Sequence, residues 1–203
     1  MKATKAAEWF LGTIPSLQRG YLDENTKLNK LLFFSDLMYS SVNDGNLIDE
    51  GFEKWDGGPV IREIYRGYRY ENLGSQSNYD THISDPEILK IFRIIEFIFG
   101  DMSACELSDE SHKSGIWKRA TRNEKIDFST IDPGEKQWMC NLYSLYADFD
   151  FDNCGIEKVN GNKYFYDKKN MSITDDVLSQ LEQIKEKQDP MFIEMIDGGL
   201  VFS

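Results

Sequence analysis

Residues 22–42 read "LDENTKLNKLLFFSDLMYSSV", which is the strongest helical pattern in the chain. Apolar and small side chains recur at the spacing of one helical face; they are Leu28, Leu31, Leu32, Ser35, Met38 and Val42. The pattern predicts a long helix with its leucines in the core. Asn25 or Thr26 is available to cap its start, and the turn-forming "NDGN" (43–46) ends it.

A second stretch, "WDGGPVIREIY" (55–65), places two glycines and a proline before an apolar-stepped segment. Proline suits the first turn of a helix because its missing N–H leaves no hydrogen bond unmade there. We therefore predict that a helix starts at Pro59. Its inward positions would be Val60, Ile64 and Tyr68, with Ile61 and Tyr65 beside them. The preceding "LIDEGFEKW" (47–55) alternates weakly, which favours a short strand or an extended arm.

The rest of the first 147 residues predicts four more helices. They run from about Thr4 to Leu11, from Asp85-Pro86 to Gly100, from the capping box Ser103-x-x-Glu106 through His112, and from Asp132-Pro133 to about Tyr146. The run 86–99 is apolar on more than one face, which is typical of a central helix. The last helix is expected to bury Trp138, Leu142 and Leu145. Residues 71–84 are expected to form a polar loop that moves freely.

The sequence changes character after residue 147. Two β-prone runs flank Asn160-Gly161, a pair that tolerates the positive φ of a hairpin turn. Thr174 is placed to cap a helix over 175–187, and the apolar tail 191–203 is expected to dock. The predicted fold class is mainly α (α+β). A helical domain of about six to seven helices spans residues 1–147, and residues 148–203 add a small β-hairpin and a C-terminal helix packed on it.

The charge balance limits the classes of partner. There are 23 basic and 35 acidic residues, so the net charge is −12, and the isoelectric point is about 4.6. Non-specific nucleic-acid binding depends on basic side chains that neutralise phosphates, so direct binding of nucleic acid is not expected. The acidity suits a basic protein partner or a surface that mimics nucleic acid.

Cysteine usage and hydropathy indicate a cytoplasmic protein. The three cysteines lack a CxxC spacing, so the sequence suggests neither a disulfide framework nor a zinc site. The N-terminal segment lacks the long apolar core of a signal peptide. The most apolar stretch, "ILKIFRIIEFIF" (88–99), holds three charges and is too short to span a bilayer. We therefore expect no membrane association.

A search for chemistry finds no convincing active site. The histidines are His82 and His112, and Cys105 precedes His112 by seven residues, but a histidine that closes a helix more often caps or packs. "DFDFDN" (148–153) begins like a calcium loop but has Asn153 and Val159 where glycine and glutamate are needed; its alternation favours a strand. Phosphate-binding, hydrolase and zincin motifs are absent. We predict no enzyme activity, no cofactor and no metal.

Three segments resemble the Panacea domain family, which includes the SocA-like proteolytic adaptor: "TKLNKLLFFSD" (26–36), "FEKWDGGPVIREIY" (52–65) and "LSDESHKSGIW" (107–117). The positions that carry the resemblance are Lys27, Leu28, Lys30, Leu31, Leu32, Phe33, Phe34, Asp36, Trp55, Gly58, Pro59, Val60, Tyr65, Leu107, Ser108, His112 and Trp117. Each motif alone is weak, but three in register make a specific signal over roughly residues 5–140. Gly57 departs from the pattern, because a side chain commonly precedes the glycine of Gly-Pro-Val.

The resemblance implies an antitoxin. Panacea domains neutralise unrelated toxins encoded beside them, usually by direct protein binding, whereas the SocA-like branch delivers its toxin to a protease. The expected partners are therefore a cognate toxin and, in the second case, a cytosolic protease. In this interpretation Trp55 and the Gly-Gly-Pro junction fix a loop on the helical core, so that neighbouring side chains are preorganised for binding.

Other interpretations of the same residues remain open. The apolar motif positions fit a core, Lys27 and Lys30 fit solvated side chains or local pairs with Asp23, Glu24 and Asp36, and His112 fits a hydrogen-bonded pair with Ser108. Partner contacts would then lie in loop 70–84 or in the C-terminal part. The alternative functions are an acidic nucleic-acid mimic that inhibits a DNA-binding protein, an enzyme that uses His112 with Cys105 or Ser108, and an adaptor whose tail 191–203 is recognised by a protease.

Overall fold

The computed structural model describes residues 1–76 and 78–203 and divides into two compact units, Met1–Ala147 and Asp148–Ser203. Helices dominate the first unit, and the second contains most of the strands. The mainly α class with added β structure is therefore confirmed. Ser77, which belongs to the loop predicted over 71–84, lies outside the described residues. Leu73 and Ile83 of the same loop are buried.

Seven α-helices and one hairpin build the first unit from the described residues. The helices are α1 (Ala3–Thr13), α2 (Leu22–Asn43), α3 (Arg62–Tyr70), α4 (Pro86–Phe99), α5 (Ala104–Lys113), α6 (Gly115–Arg119) and α7 (Pro133–Leu145), and the strands are β1 (Glu53–Trp55) and β2 (Gly58–Val60). Short 3-10 turns cover Pro15–Arg19, Leu73–Ser75 and Phe128–Thr130.

The central helix of this unit is α2, not the predicted run 86–99. It packs against α1, α3, α4, α5, α7 and β2. Consequently it is buried nearly all round: Phe33, Phe34 and Leu37 lie in the core together with the predicted leucines. The apolar surface of α4 is shared between its neighbours, whereas α2 is buried on most sides.

The structure shows which of the predicted helix caps form. Asp85 accepts hydrogen bonds from the amides of Glu87 and Ile88, and Ser103 and Glu106 form the predicted capping box. The cap predicted for α2 is wrong, because the helix starts a turn earlier at Leu22 and the N-cap position is Tyr21. Asn25 therefore lies inside the helix, where its amide is free to bond elsewhere.

The prediction that Pro59 opens a helix is also wrong. Pro59 lies in β2, which pairs antiparallel with β1 so that Lys54 faces Pro59 and Trp55 faces Gly58. The backbone N–H and C=O of Lys54 bond instead to Glu124 and Asn123, at 2.9 and 2.7 Å. Because Lys54 needs no donor from Pro59, the missing N–H leaves nothing unpaired. The α3 helix begins at Arg62.

The buried face of α7 differs from the predicted one. Trp138 and Leu145 are 42% and 71% exposed, Leu142 is half-buried, and Met139 is the fully buried side chain. The helix contacts α2 through this rotated face, where the Cys140 thiol donates to the Ser41 carbonyl at 3.3 Å. Met139 and Cys140 face α2, and Trp138 is left at the surface.

The second unit is a four-stranded sheet with one helix. Its strands β3 (Cys154–Val159), β4 (Asn162–Asp167), β5 (Met191–Ile196) and β6 (Gly199–Phe202) lie in sequence order, and α8 is Asp175–Glu182. Strands β4 and β5 are parallel, and the other pairs are antiparallel. A core of Val159, Tyr164, Met171, Val177, Leu181 and Ile193 joins the helix to the sheet.

Local sequence signals predict most of the turns and caps of this unit. The turn Asn160-Gly161 has φ of 53° and 80°, and Thr174 caps α8 through the Val177 amide at 3.3 Å. The tail docks as predicted, but as a second hairpin that supplies β5 and β6. The strand predicted over "DFDFDN" is wrong, since residues 151–153 form a turn in which Asp150 bonds Asn153 and Lys169.

Candidate functional site

Two buried asparagines on α2 hold the start of α3. The Asn25 amide donates to the Tyr65 carbonyl at 3.1 Å, and the Asn29 carbonyl oxygen accepts from the Ile61 amide at 2.9 Å. Asn29 also donates to the Asn25 side chain at 3.0 Å. Both residues are fully buried. Because the start of α3 offers these backbone groups to α2, the two amides fix the direction in which the chain leaves the hairpin.

Lys30 holds the hairpin itself. Its side chain is fully buried, and its Nζ donates to the Pro59 carbonyl at 3.1 Å. Burial lowers the pKa of this ammonium from 10.5 to about 7, because an apolar surrounding disfavours the charged form. The prediction that Lys30 is solvated or paired with nearby acids is therefore wrong.

Gly58 makes room for this lysine. A β-carbon at position 58 would lie 2.5 Å from Cε of Lys30 and 2.7 Å from Oγ of Ser111, and the backbone φ is +101°. Few side chains tolerate that φ, so both the conformation and the space require glycine. The hairpin, α2 and α5 meet at this residue.

Helix α5 contacts the turn of the hairpin from the other side. Ser108 donates to the Gly57 carbonyl at 3.2 Å, and Ser111 donates to the Ser108 carbonyl at 2.8 Å. His112 hydrogen-bonds the backbone of Asp56. In the described part of the chain neither Ser108 nor Cys105 is hydrogen-bonded to His112. The serine and the histidine thus each bind the turn, and the predicted Ser108–His112 pair does not form.

His112 stacks on Trp117, with ring centroids 4.1 Å apart and an interplanar angle of 25°. The ammonium of Lys54 lies 4.6 Å from the centroid of the Trp117 ring. The pKa of His112 is lowered, first by burial and then by the charge of Lys30, while Asp109 and the bond to Asp56 act in the opposite direction. The stacking on the indole and the bond to the Asp56 backbone give His112 a packing role beside the turn.

A surface patch lies on the hairpin and the first turn of α3, and we call it the hairpin patch: Glu53, Trp55, Arg62 and Tyr65. Arg62 binds Glu53 through two hydrogen bonds of 3.0 and 2.7 Å, and Trp55 donates to the same carboxylate at 3.0 Å. The Arg62 bond lowers the pKa of Glu53. The Trp55 and Tyr65 rings lie 5.0 Å apart. Two aromatic rings and a guanidinium are thus held in place at a partly exposed surface.

Asp36 has a separate structural role. Its carboxylate is buried and accepts from the Leu47 amide at 2.6 Å and from Ser40 at 3.5 Å. Burial raises its pKa to about 7, although the backbone bonds to Leu47 and Ile48 oppose the shift. The residue therefore fixes the loop that follows α2 and does not contribute to the site around Gly58.

The structure brings together most of the predicted site residues and shows which ones were missed. Lys30, Ser108, His112 and Trp117 surround the hairpin that contains Gly58 and Pro59, and Trp55 and Tyr65 lie on its outer side. Leu28, Leu31 and Val60 are core residues, and Lys27 is half-buried. Asn29, Ser111 and Lys54 belong to the same arrangement but were not predicted. The only sequence signal for Asn29 is an amide inside an otherwise apolar run, four residues after Asn25.

Two further findings concern metal ligands and membrane-spanning helices. Within residues 1–76 and 78–203, no group of three or more His, Cys, Asp or Glu side chains could hold a metal ion. No helix in the same residues is both long and apolar enough to cross a membrane.

The family model described as antitoxin SocA-like, Panacea domain, matches residues 28–118. Residues 28–118 are therefore similar to the Panacea domain. The match is shorter at both ends than the resemblance over residues 5–140, and it encloses the hairpin and its supports on α2 and α5. Helix α7 and the second unit lie outside the matched residues. No curated protein and no solved structure matches the chain.

Proposed function

We propose that this protein is an antitoxin that neutralises a toxin, encoded by an adjacent gene, through direct protein–protein binding. The observation that carries the proposal is the Panacea domain match over residues 28–118. The arrangement around the hairpin supports it: Lys30, Asn29 and Ser108 direct their polar groups inward to fix the backbone. Side chains used in this way preorganise a surface, and a preorganised surface loses less entropy on binding.

We propose the hairpin patch as the centre of toxin recognition. Binding energy in protein interfaces concentrates on a few residues, and Trp, Tyr and Arg are the most enriched types. The patch contains one of each, and the bidentate bond to Glu53 holds the guanidinium in a single orientation. The turn beside it is fixed from within by α2 and α5. A partner would therefore meet aromatic surface that needs little reorganisation.

Co-expression tests the function. The neighbouring gene product is expected to arrest growth when it is expressed alone, and this protein is expected to restore growth and to co-elute with it on gel filtration. The toxin level during rescue separates two routes, because sequestration keeps the toxin abundant while delivery to a protease lowers it. Neighbouring genes that are all harmless when expressed alone would count decisively against the proposal.

Substitution in the hairpin patch tests the surface. Trp55→Ala and Arg62→Ala are each expected to weaken toxin binding by about 30-fold, corresponding to about 2 kcal/mol for a central interface residue. Tyr21→Ala is the matched control, since Tyr21 is an aromatic residue that is 69% exposed and lies outside the Panacea match. Titration calorimetry measures the affinities. Equal affinities for the three variants would place recognition elsewhere while leaving the antitoxin function intact.

A further inference from the structure

One side of the last strand of the second unit, β6, pairs with no other strand among residues 1–76 and 78–203. Strand β6 ends the order of the four-stranded sheet, with β5 as its neighbour. Phe192 and Ser203 exchange two backbone hydrogen bonds of 2.9 Å, and the register then pairs Glu194 with Val201. Since hydrogen-bonded and non-hydrogen-bonded pairs alternate in an antiparallel ladder, the N–H and C=O groups of Leu200 and Phe202 point away from β5.

This edge lacks the usual protection against pairing. Edge strands are commonly blocked by a charged residue, a proline or a bulge. The sequence of β6 is Gly-Leu-Val-Phe, which contains no charge and no proline, and its register with β5 is continuous over four pairs. Val201 and Phe202 are 43% and 38% exposed. The strand therefore offers both main-chain and apolar contacts to another strand.

We propose that β6 pairs with β6 of a second copy of this chain, joining two sheets into one of eight strands. The spacing of the outward groups is self-complementary. Around a two-fold axis through Val201, Leu200 of each copy lies opposite Phe202 of the other. Each of these pairs exchanges two backbone hydrogen bonds, giving about four in all. The two Val201 side chains then face each other at the axis.

Charge does not oppose this pairing, although the chain carries a net charge of −12. The acidic residue beside the axis is Glu194 on β5. In the joined sheet the two copies of Glu194 are three strand spacings apart, or about 14 Å. That distance exceeds the Debye length of about 8 Å at physiological salt, so their repulsion is largely screened. Because the strand is short, we expect a dissociation constant on the order of 100 µM.

Sedimentation equilibrium of the full chain between about 10 µM and 1 mM tests the dimer. The wild-type mass is expected to rise towards twice the monomer mass. Val201→Glu places two carboxylates directly opposite each other, which destabilises a cross-strand pair, and is expected to weaken association at least 10-fold. Val201→Thr keeps a β-branched, uncharged residue and is expected to remain within about threefold of wild type.

A mixture of two charge variants tests whether Val201→Glu associates weakly because of charge repulsion or because it is misfolded. Val201→Glu mixed with Val201→Lys should associate at concentrations where Val201→Glu alone does not, because opposite charges then meet at the axis. Ile156→Lys, on the other edge strand β3 at an equally exposed site (44%), should associate as wild type does. A wild-type chain that stays monomeric throughout, or a Val201→Glu variant that associates like wild type, would overturn the proposal.

Discussion

Gly58→Ala is expected to destabilise the first unit by about 3 kcal/mol. Part of this loss is conformational, because a side chain at positive φ costs roughly 1–2 kcal/mol. The rest is steric: the new β-carbon would lie 2.5 Å from Cε and 2.9 Å from Nζ of Lys30, and 2.7 Å from Oγ of Ser111. These atoms belong to buried side chains, and overpacking of this kind typically costs about 1–3 kcal/mol.

Denaturant unfolding followed by tryptophan fluorescence measures this effect in the first unit, because all four tryptophans (Trp9, Trp55, Trp117 and Trp138) lie in residues 1–147. Gly57→Ala is the matched control. A β-carbon at position 57 meets no atom within 4 Å, so its effect should stay within about 0.5 kcal/mol. If the two substitutions had equal effects, the close packing of Lys30 against Gly58 would be contradicted.

The elements that were predictable from sequence are those that local interactions determine. The capping box at Ser103 needs only residues within one helical turn, and the hairpin at Asn160-Gly161 needs only two residues that tolerate positive φ. The core leucines of α2 follow from helical spacing. In these segments the local preference and the final fold agree.

The wrong predictions concern residues whose structure depends on contacts with distant parts of the chain. Because proline has no N–H, it fits the first turn of a helix. It fits equally well at a strand position whose partner residue forms its backbone hydrogen bonds with another segment. Only the pairing of Lys54 with residues 123 and 124 distinguishes these cases. Its apolar character predicts that Trp138 lies in the core, but the face of α7 that contacts α2 buries Met139 instead.

The buried polar residues of the site were the hardest to predict. Helical periodicity places Asn29 and Lys30 beside an apolar face and therefore indicates solvent exposure. Their burial depends on the hairpin, which lies about 30 residues further along the chain and supplies the carbonyl of Pro59 and the amide of Ile61. The family resemblance singled out Lys30 but did not indicate its partner.

The buried Lys30 predicts an unusual dependence of stability on pH. The folded pKa is about 7, well below 10.5, so between these values the unfolded chain binds a proton that the folded chain does not. The free energy of unfolding therefore rises with pH in this window, by up to about 1.4 kcal/mol per pH unit. The stabilising contribution is fully present above pH 10.5 and is lost as the pH falls towards 7.

Lys30→Met tests this contribution, because the variant lacks the ammonium and keeps every other titrating side chain. Methionine removes the ammonium and its desolvation cost but leaves the Pro59 carbonyl without its donor. Near pH 7 these changes oppose each other, so a difference of at most about 2 kcal/mol is expected. Between pH 7 and 9.5 the wild type should gain about 3 kcal/mol relative to the variant. Fluorescence-detected unfolding at several pH values measures this difference. A difference that does not change with pH would mean that Lys30 is protonated in the folded protein as it is in the unfolded chain, and that its ammonium is accommodated at Pro59 without a desolvation penalty.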